Sequence, residues 1–362
     1  MDESGNGSTN TSLLVNVIIR VIFSFIAVGA CWVPMRLLWK NRELAGTTLA
    51  IVVIILNLRD AVNPLIWHND DIEHWFRGYG WCDLQIYTVM PLQTLYAASV
   101  FCIMNNLASQ VALNRVTGLT SSEKRRKFIF QSLILFPVPL LQVILTYFVQ
   151  IKRYDISAVI GCSALGVYYP NWMFLVFFLL PAPIFAFLAA VFAVVVYYRY
   201  RKVDRATREA VWNTCNSNAQ SRSARTKRKL YFMALCIVIP YTPLQLAFAG
   251  QNIAVGWPWN LPYNFSQLHG PAWDIISFTP SAFVNSLDMY LWIVVFLTAV
   301  VFFVFFGRTK EAHDTYRRYL RFVGLGKIFP KLNEEWFPSE SRNRGIQSGS
   351  RSWANRSSEY VK

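Results

Sequence analysis

The chain has 362 residues, of which 54% are hydrophobic, 16% aromatic and only 15% charged. Soluble domains carry roughly 25% charged residues; a globule could not hide this much apolar surface, and a disordered chain would lack it. Both classes are excluded, which leaves a polytopic membrane protein. The 35 Lys and Arg against 20 Asp and Glu give a net charge of +15. In a soluble protein that would point to nucleic acid, but the placement of the charges argues otherwise.

A membrane-crossing helix needs about 20 mostly apolar residues. Seven stretches qualify: 13–38, 44–67, 81–113, 128–149, 171–198, 230–254 and 274–306. They predict an all-α, seven-transmembrane helix bundle over 13–306. It follows a polar N-tail (1–12) and precedes an amphipathic juxtamembrane helix (307–324) and a Ser/Arg-rich tail (325–362) with the composition of a disordered segment. The N-tail has no basic n-region, so the first span is expected to act as its own insertion signal.

Orientation follows from Lys and Arg. The N-tail and loops 67–81, 149–171 and 254–274 hold only Arg77, Lys152 and Arg153. The opposite side and the tail hold about thirty. The N-terminus is therefore expected outside and the C-terminus inside, and the net charge is a topology signal. Nucleic acid is not an expected partner. Sequons at Asn6, Asn10 and Asn264 fall on the outer side, as glycosylation requires, and the one at Asn355 falls inside. Tryptophans such as Trp67, Trp81, Trp172 and Trp273 sit at span ends, where an amphipathic ring suits the interface.

Of six cysteines, only Cys82 and Cys162 lie on the oxidising side. Compartment and even number favour a disulfide between them over two free thiols. No enzyme signature is present: no H-E-x-x-H, G-x-S-x-G or phosphate-cradling glycine loop. The four His lie outside the spans, so no metal site or cofactor is expected. His68 and His74, with Asp70, Asp71 and Glu73, read as a solvated loop ahead of a cation site.

Charge inside the spans is more informative, because ionisable groups in hydrocarbon are costly and face the bundle interior. Arg20, Arg59, Asp60 and Asp288 are such groups. With Asn63, Gln93, Tyr96 and Gln245 they form a candidate polar lining for an outward-opening pocket. Adjacent residues on a helix point about 100° apart, so Arg59 is expected to pair with Asp288 rather than with Asp60. A purely structural ion pair is the competing reading. Pro240 and Pro243 mark a candidate hinge in the sixth span. The loop 199–229 carries ten Lys and Arg and suits an acidic protein surface or anionic lipid. Beyond the last span, Tyr316, Tyr319, Leu320 and Val323 recur at helical spacing among arginines, which fits a helix lying on the inner leaflet.

Several motifs narrow the class. The second span holds Asn57-Leu-Arg-Asp-Ala-Val-Asn-Pro-Leu-Ile-Trp67, and the third opens with Trp81-Cys82-Asp83-Leu-Gln85 and closes with Cys102-Ile-Met-Asn-Asn-Leu-Ala108. The second outer loop contains Gln150-Ile-Lys-Arg-Tyr-Asp155 and then Gly161-Cys162. The fifth span leaves through Tyr198-Arg-Tyr-Arg-Lys202, and the sixth enters through Arg228-Lys-Leu-Tyr-Phe-Met-Ala234. As a set these residues resemble the fungal mating-pheromone receptors of the a-factor, lipopeptide type, which are class D G-protein-coupled receptors. The resemblance implies a prenylated, methyl-esterified peptide as ligand, a heterotrimeric G protein as effector and a plasma-membrane location. Membrane lipids and a second copy of the chain are further candidate partners. Arg199, Arg201, Lys202, Lys227, Arg228 and Lys229 are the candidate G-protein face. The third span lacks an Asp/Glu-Arg-Tyr motif and the seventh lacks Asn-Pro-x-x-Tyr, so no rhodopsin-type lock is implied. A receptor for another ligand is the near rival. A transporter is the distant one, disfavoured because no internal repeat accompanies the biased inner face.

Overall fold

A computed structural model describes residues 11–112, 121–163, 167–213, 218–259, 261–270 and 273–322. Asn6, Asn10 and the expected tail 325–362 lie outside the described residues. The chain divides into two compact units, Met1–Phe302 and Phe303–Lys362. Among the described residues, six helices are long and apolar enough to cross a membrane: Thr11–Lys40, Leu44–Ile66, Trp81–Ser109, Ser121–Val149, Trp172–Arg199 and Asp288–Gly307. The protein is a mostly helical, multi-pass membrane protein.

Helix α1 (Thr11–Lys40) shows why this chain needs lipid. Its buried residues Leu13, Val17, Arg20, Ser24, Ala27 and Cys31 follow one stripe at three- and four-residue spacing. Its exposed face is Ile18, Ile22, Phe25 and Ile26. Charge is inside and bulky hydrocarbon outside, the reverse of a soluble helix, because the surrounding solvent is apolar. Helix α2 (Leu44–Ile66) packs on α1. Helix α3 (Trp81–Ala112) is the central element and meets α2, α5 (Pro137–Val149) and α6 (Pro181–Asn213).

Prolines shape two spans. Helix α4 (Ser121–Leu135) stops where Pro137 opens α5. Before α6, residues Leu175–Leu179 form a π turn. Pro181 has no N–H, so the Phe177 carbonyl loses its ordinary helical donor. Gln142 on α5 supplies a replacement at 2.8 Å and also donates to Thr94 Oγ1 at 2.9 Å, tying three helices together. The expected sixth span, 230–254, lies within α7 (Asn218–Val255), which contains both Pro240 and Pro243.

The stretch 274–306, expected as one span, is not helical from its start. Residues Ile276–Thr279 are a strand, not helix. They run parallel to β1 (Tyr154–Ser157), which pairs antiparallel with β2 (Gly161–Ser163), so the order is β2-β1-β3 with β3 being Ile276–Thr279. The strand ends at Pro280, and Asp70 accepts from the Ser281 N–H and hydroxyl at 2.7 and 2.6 Å. The apolar run Ile275–Phe278 satisfies its backbone in this sheet, and the membrane helix begins only at Asp288; its regular part is α8 (Trp292–Phe302).

In the second unit, α9 (Lys310–Phe322) follows a capping Thr309, whose hydroxyl accepts from the Ala312 N–H at 3.3 Å.

Candidate functional site

The small sheet is anchored at one end of the bundle by three devices. Cys82 at the start of α3 is bonded to Cys162 on β2 with an S–S distance of 2.05 Å. The Val159 N–H donates to the Trp67 carbonyl at 2.8 Å. Arg153, one residue before β1, grips both Asp83 oxygens at 2.8 and 3.0 Å and reaches Asp274 at 2.8 Å. A bidentate guanidinium–carboxylate pair fixes orientation as well as distance.

Between this sheet and the helices lies a cavity of about 500 Å³. That volume is within the roughly 300–1,000 Å³ range of small-ligand sites. Its aromatic walls include Phe174, Phe248, Trp259 and Trp292, and its polar positions include Arg20, Arg59, Gln93, Gln245 and Asp288. Five of the eight sequence-predicted lining residues therefore meet here. Asp60 and Tyr96 line a second cavity of about 110 Å³, which also touches Arg59, Gln93 and Gln245.

Two expectations are corrected. Arg59 pairs with Asp60, not Asp288: its Nη2 lies 3.2 Å from Asp60 Oδ1, and Arg20 Nη2 reaches the same oxygen at 2.9 Å. The 100° separation of neighbouring side chains is bridged because the guanidinium stem is long enough to curl back. Asn63 is the second correction, since it lines neither cavity. It is a fully buried hub: its amide nitrogen donates to Gln85 Oε1 at 3.0 Å and to the Ile160 carbonyl at 2.7 Å. Its oxygen accepts from Trp81 Nε1 at 3.0 Å and Gln85 Nε2 at 2.8 Å. Asn63 positions the β1–β2 turn over the cavity.

Beneath the cavity, Tyr96 on α3 meets Thr298 on α8 at 2.7 Å. Thr298 spends its proton on the Val294 carbonyl at 2.8 Å, so Tyr96 is the donor. The Tyr96 ring lies 4.7 Å from that of Tyr241, the residue following Pro240 on α7. Three helices thus meet at one tyrosine.

Sequence reasoning missed Asp155. It lies on β1, lines the main cavity and accepts from Thr279 Oγ1 at 3.1 Å. Burial pushes its carboxyl above the usual range, while Lys152 and the Thr279 hydroxyl pull it back. Asp155 closes the loop motif that begins at Gln150, but nothing in that motif marked it as a cavity residue, because a loop aspartate is ordinarily solvated. In the acidic loop, Asp71 takes His74 at 2.9 Å and Asp70 is engaged by Ser281, and no metal-holding cluster of His, Cys, Asp and Glu occurs among the described residues. The Asp71 carboxylate, by accepting a hydrogen bond from the imidazole, raises the His74 pKa.

Of the candidate inner-face residues, Arg199 donates to the Ala108 carbonyl near the end of α3 at 3.0 Å, and the Arg201 guanidinium lies 4.8 Å from the Tyr197 ring centre. The side chains of Lys202, Lys227, Arg228 and Lys229 lie outside the described residues.

Residues 19–324 match the family described as Pheromone A receptor. The chain is 25% identical over 312 residues to the pheromone a factor receptor of Saccharomyces cerevisiae, covering 83% of this chain and 63% of that protein. It is 23% identical over 332 residues to the pheromone B beta 1 receptor of Schizophyllum commune, covering 88% of this chain and 57% of that protein. It is 25% identical over 322 residues to pheromone receptor 1 of Ustilago hordei, covering 86% and 85%. The chain thus spans somewhat under two thirds of the first two relatives. With a matching profile over most of its length and a cavity roofed by a disulfide-tethered sheet, the chain belongs to the pheromone A receptor family.

Proposed function

We propose that this protein is a G-protein-coupled receptor of the plasma membrane that binds an extracellular prenylated peptide mating pheromone and activates a heterotrimeric G protein. The carrying observation is the cavity of about 500 Å³, with aromatic walls and a guanidinium pair, under a tethered sheet in a chain of this family. A prenyl chain gains about 0.8 kcal/mol per buried CH₂, so aromatic walls suit it, while the few polar groups orient the peptide. In this reading there are seven spans, α7 supplying the sixth, with the N-terminus outside. The disulfide end is then extracellular, Asn6, Asn10 and Asn264 accept glycans, and Arg20, Arg59, Asp60, Gln93, Tyr96, Gln245 and Asp288 form the ligand's polar surroundings.

Activation is a population shift: ligand binds more tightly to the state whose α7 inner end is displaced about Pro240 and Pro243. Arg199, Arg201, Lys202, Lys227, Arg228 and Lys229 then meet the G protein. The division into N-tail, bundle, juxtamembrane helix and tail belongs to the same proposal. The test is nucleotide exchange on a fungal G protein by the receptor in lipid, with prenylated and unprenylated peptide compared. Exchange driven by the prenylated form alone supports the reading. Exchange driven only by an unrelated small molecule leaves a receptor but removes the pheromone.

A further inference from the structure

Arg20, Asp60 and Arg59 do not balance. Two guanidiniums share one oxygen of one carboxylate, at 2.9 and 3.2 Å, which leaves a net single positive charge inside the bundle. Arg20 is only 1% exposed and Asp60 only 2%, while the Arg59 side chain is 22% exposed toward the cavity it lines. Arg20 Nε and Nη1 and Arg59 Nε are buried donors without an acceptor among the described residues. Asp288 and Asp155 line the same cavity, yet neither makes an ion pair within 4.0 Å with either arginine among the described residues. A buried, uncompensated charge with unmade hydrogen bonds is costly, and such groups ordinarily have a partner.

We propose that the Arg20–Asp60–Arg59 cluster is an anion-receiving site at the floor of the cavity, taking a small monovalent anion such as chloride or a carboxylate. Both arginines line the cavity, so the site is reached from the space assigned to the ligand. Guanidinium N–H groups in a dry pocket bind a carboxylate or halide through charge-assisted hydrogen bonds. The carboxylate has two sources: free anion from the medium, or an acidic group on the peptide. The second source rests on the pheromone reading above; the first does not.

The full-length protein in discs of uncharged lipid is melted in increasing sodium chloride or sodium formate, with bulky isethionate holding ionic strength constant. Saturable stabilisation by chloride or formate is expected. Arg59→Gln removes the net charge while leaving the Arg20–Asp60 pair, and should raise the half-saturating concentration about tenfold. Asp60→Asn makes the cluster more positive and should lower it, which keeps the test decisive if one variant folds poorly. The second arm compares binding of a prenylated, methyl-esterified peptide carrying an aspartate side chain with the same peptide carrying asparagine there. A preference for the carboxylate that disappears in Arg59→Gln assigns the site to the ligand. If neither salt nor the peptide's side-chain carboxylate distinguishes wild type from both variants, the proposal is overturned. The salt arm contains no peptide, so a receptor that ignores every pheromone still answers it.

Discussion

A Cβ placed on Gly161 would lie 2.6 Å from the Asn63 amide. The backbone of Gly161 is also in the left-handed region at φ +78°, and its preceding carbonyl, that of Ile160, accepts from the same amide. The turn over the cavity is therefore tied to α2 by one asparagine that tolerates only a glycine beside it. Gly161→Ala should lower stability by about 2–4 kcal/mol, combining the strain of φ > 0 with overpacking. Gly80 shares the φ of +78° but has open space around it. Gly80→Ala should cost only about 1 kcal/mol. Thermal melts of both variants in lipid discs check the difference.

The disulfide and the Arg153 clamp hold the same sheet. The bond closes a loop of 80 residues in sequence separation, so Cys82→Ser with Cys162→Ser should cost about 2–5 kcal/mol. Ligand affinity should fall with it, because Cys162 itself lines the cavity. Asp83→Asn weakens the clamp at a partly exposed pair and should have a smaller effect, under about 1 kcal/mol. Melts and peptide binding under oxidising conditions rank the two.

The buried ion pair predicts an asymmetry. Asp60→Ala leaves Arg20 charged, buried and unpaired, at a cost of about 3–5 kcal/mol. Replacing both partners, as Arg20→Met with Asp60→Leu, should recover part of that loss, since hydrophobic pairs of similar volume often match buried ion pairs; the remainder is the cost of Arg59, which loses the same carboxylate. Recovery of folded yield and melting temperature in the double variant is the expected result.

Asp155 gives a pH signature. Its folded-state carboxyl is raised, chiefly by burial. The folded state therefore holds a proton more readily than the unfolded chain, and the associated stability is full below the ordinary aspartate range. It is lost as pH rises through the raised value. Asp155→Asn removes this dependence while keeping an oxygen to accept from Thr279. The variant should be more stable than wild type at neutral pH, and the gap should close near pH 4, where the unperturbed carboxyl is half protonated. Melts across that interval check the sign.

Different parts of the molecule were legible to different degrees. The spanning helices stood out because 20-residue apolar runs admit few other structures, and Arg20, Arg59 and Asp288 stood out because charge in hydrocarbon demands a reason. The strand Ile276–Thr279 did not, since a short apolar run reads equally as helix or strand until its partners are known. Asn63 looked like a pocket residue because it is polar in an apolar helix. Its buried position satisfies that logic equally well through Gln85, Trp81 and the Ile160 carbonyl. Arg59 was paired wrongly because helix geometry fixes where Cβ points, while a guanidinium reaches several ångströms further. Asp155 was visible only as the end of a loop motif, because its burial comes from a sheet joining segments more than a hundred residues apart.

Tyr96 offers the sharpest test of how the bundle switches. Its hydroxyl donates to Thr298 on α8 and its ring packs on Tyr241 beside Pro240 on α7. Displacing α7 about its prolines must move Tyr241 and so disturb the contact with α3. Tyr96→Phe keeps the ring and removes the hydrogen bond; Thr298 retains its bond to Val294, so no new donor is stranded. One such bond contributes about 1 kcal/mol, enough to shift a two-state equilibrium about fivefold. If the bond belongs to the resting state, basal nucleotide exchange should rise by about that factor while maximal, pheromone-driven exchange stays the same. Tyr241→Leu, which removes the ring contact, should act in the same direction. A fall in basal exchange for both variants would mean that the tyrosine pair stabilises the active arrangement and that the hinge works in the opposite sense.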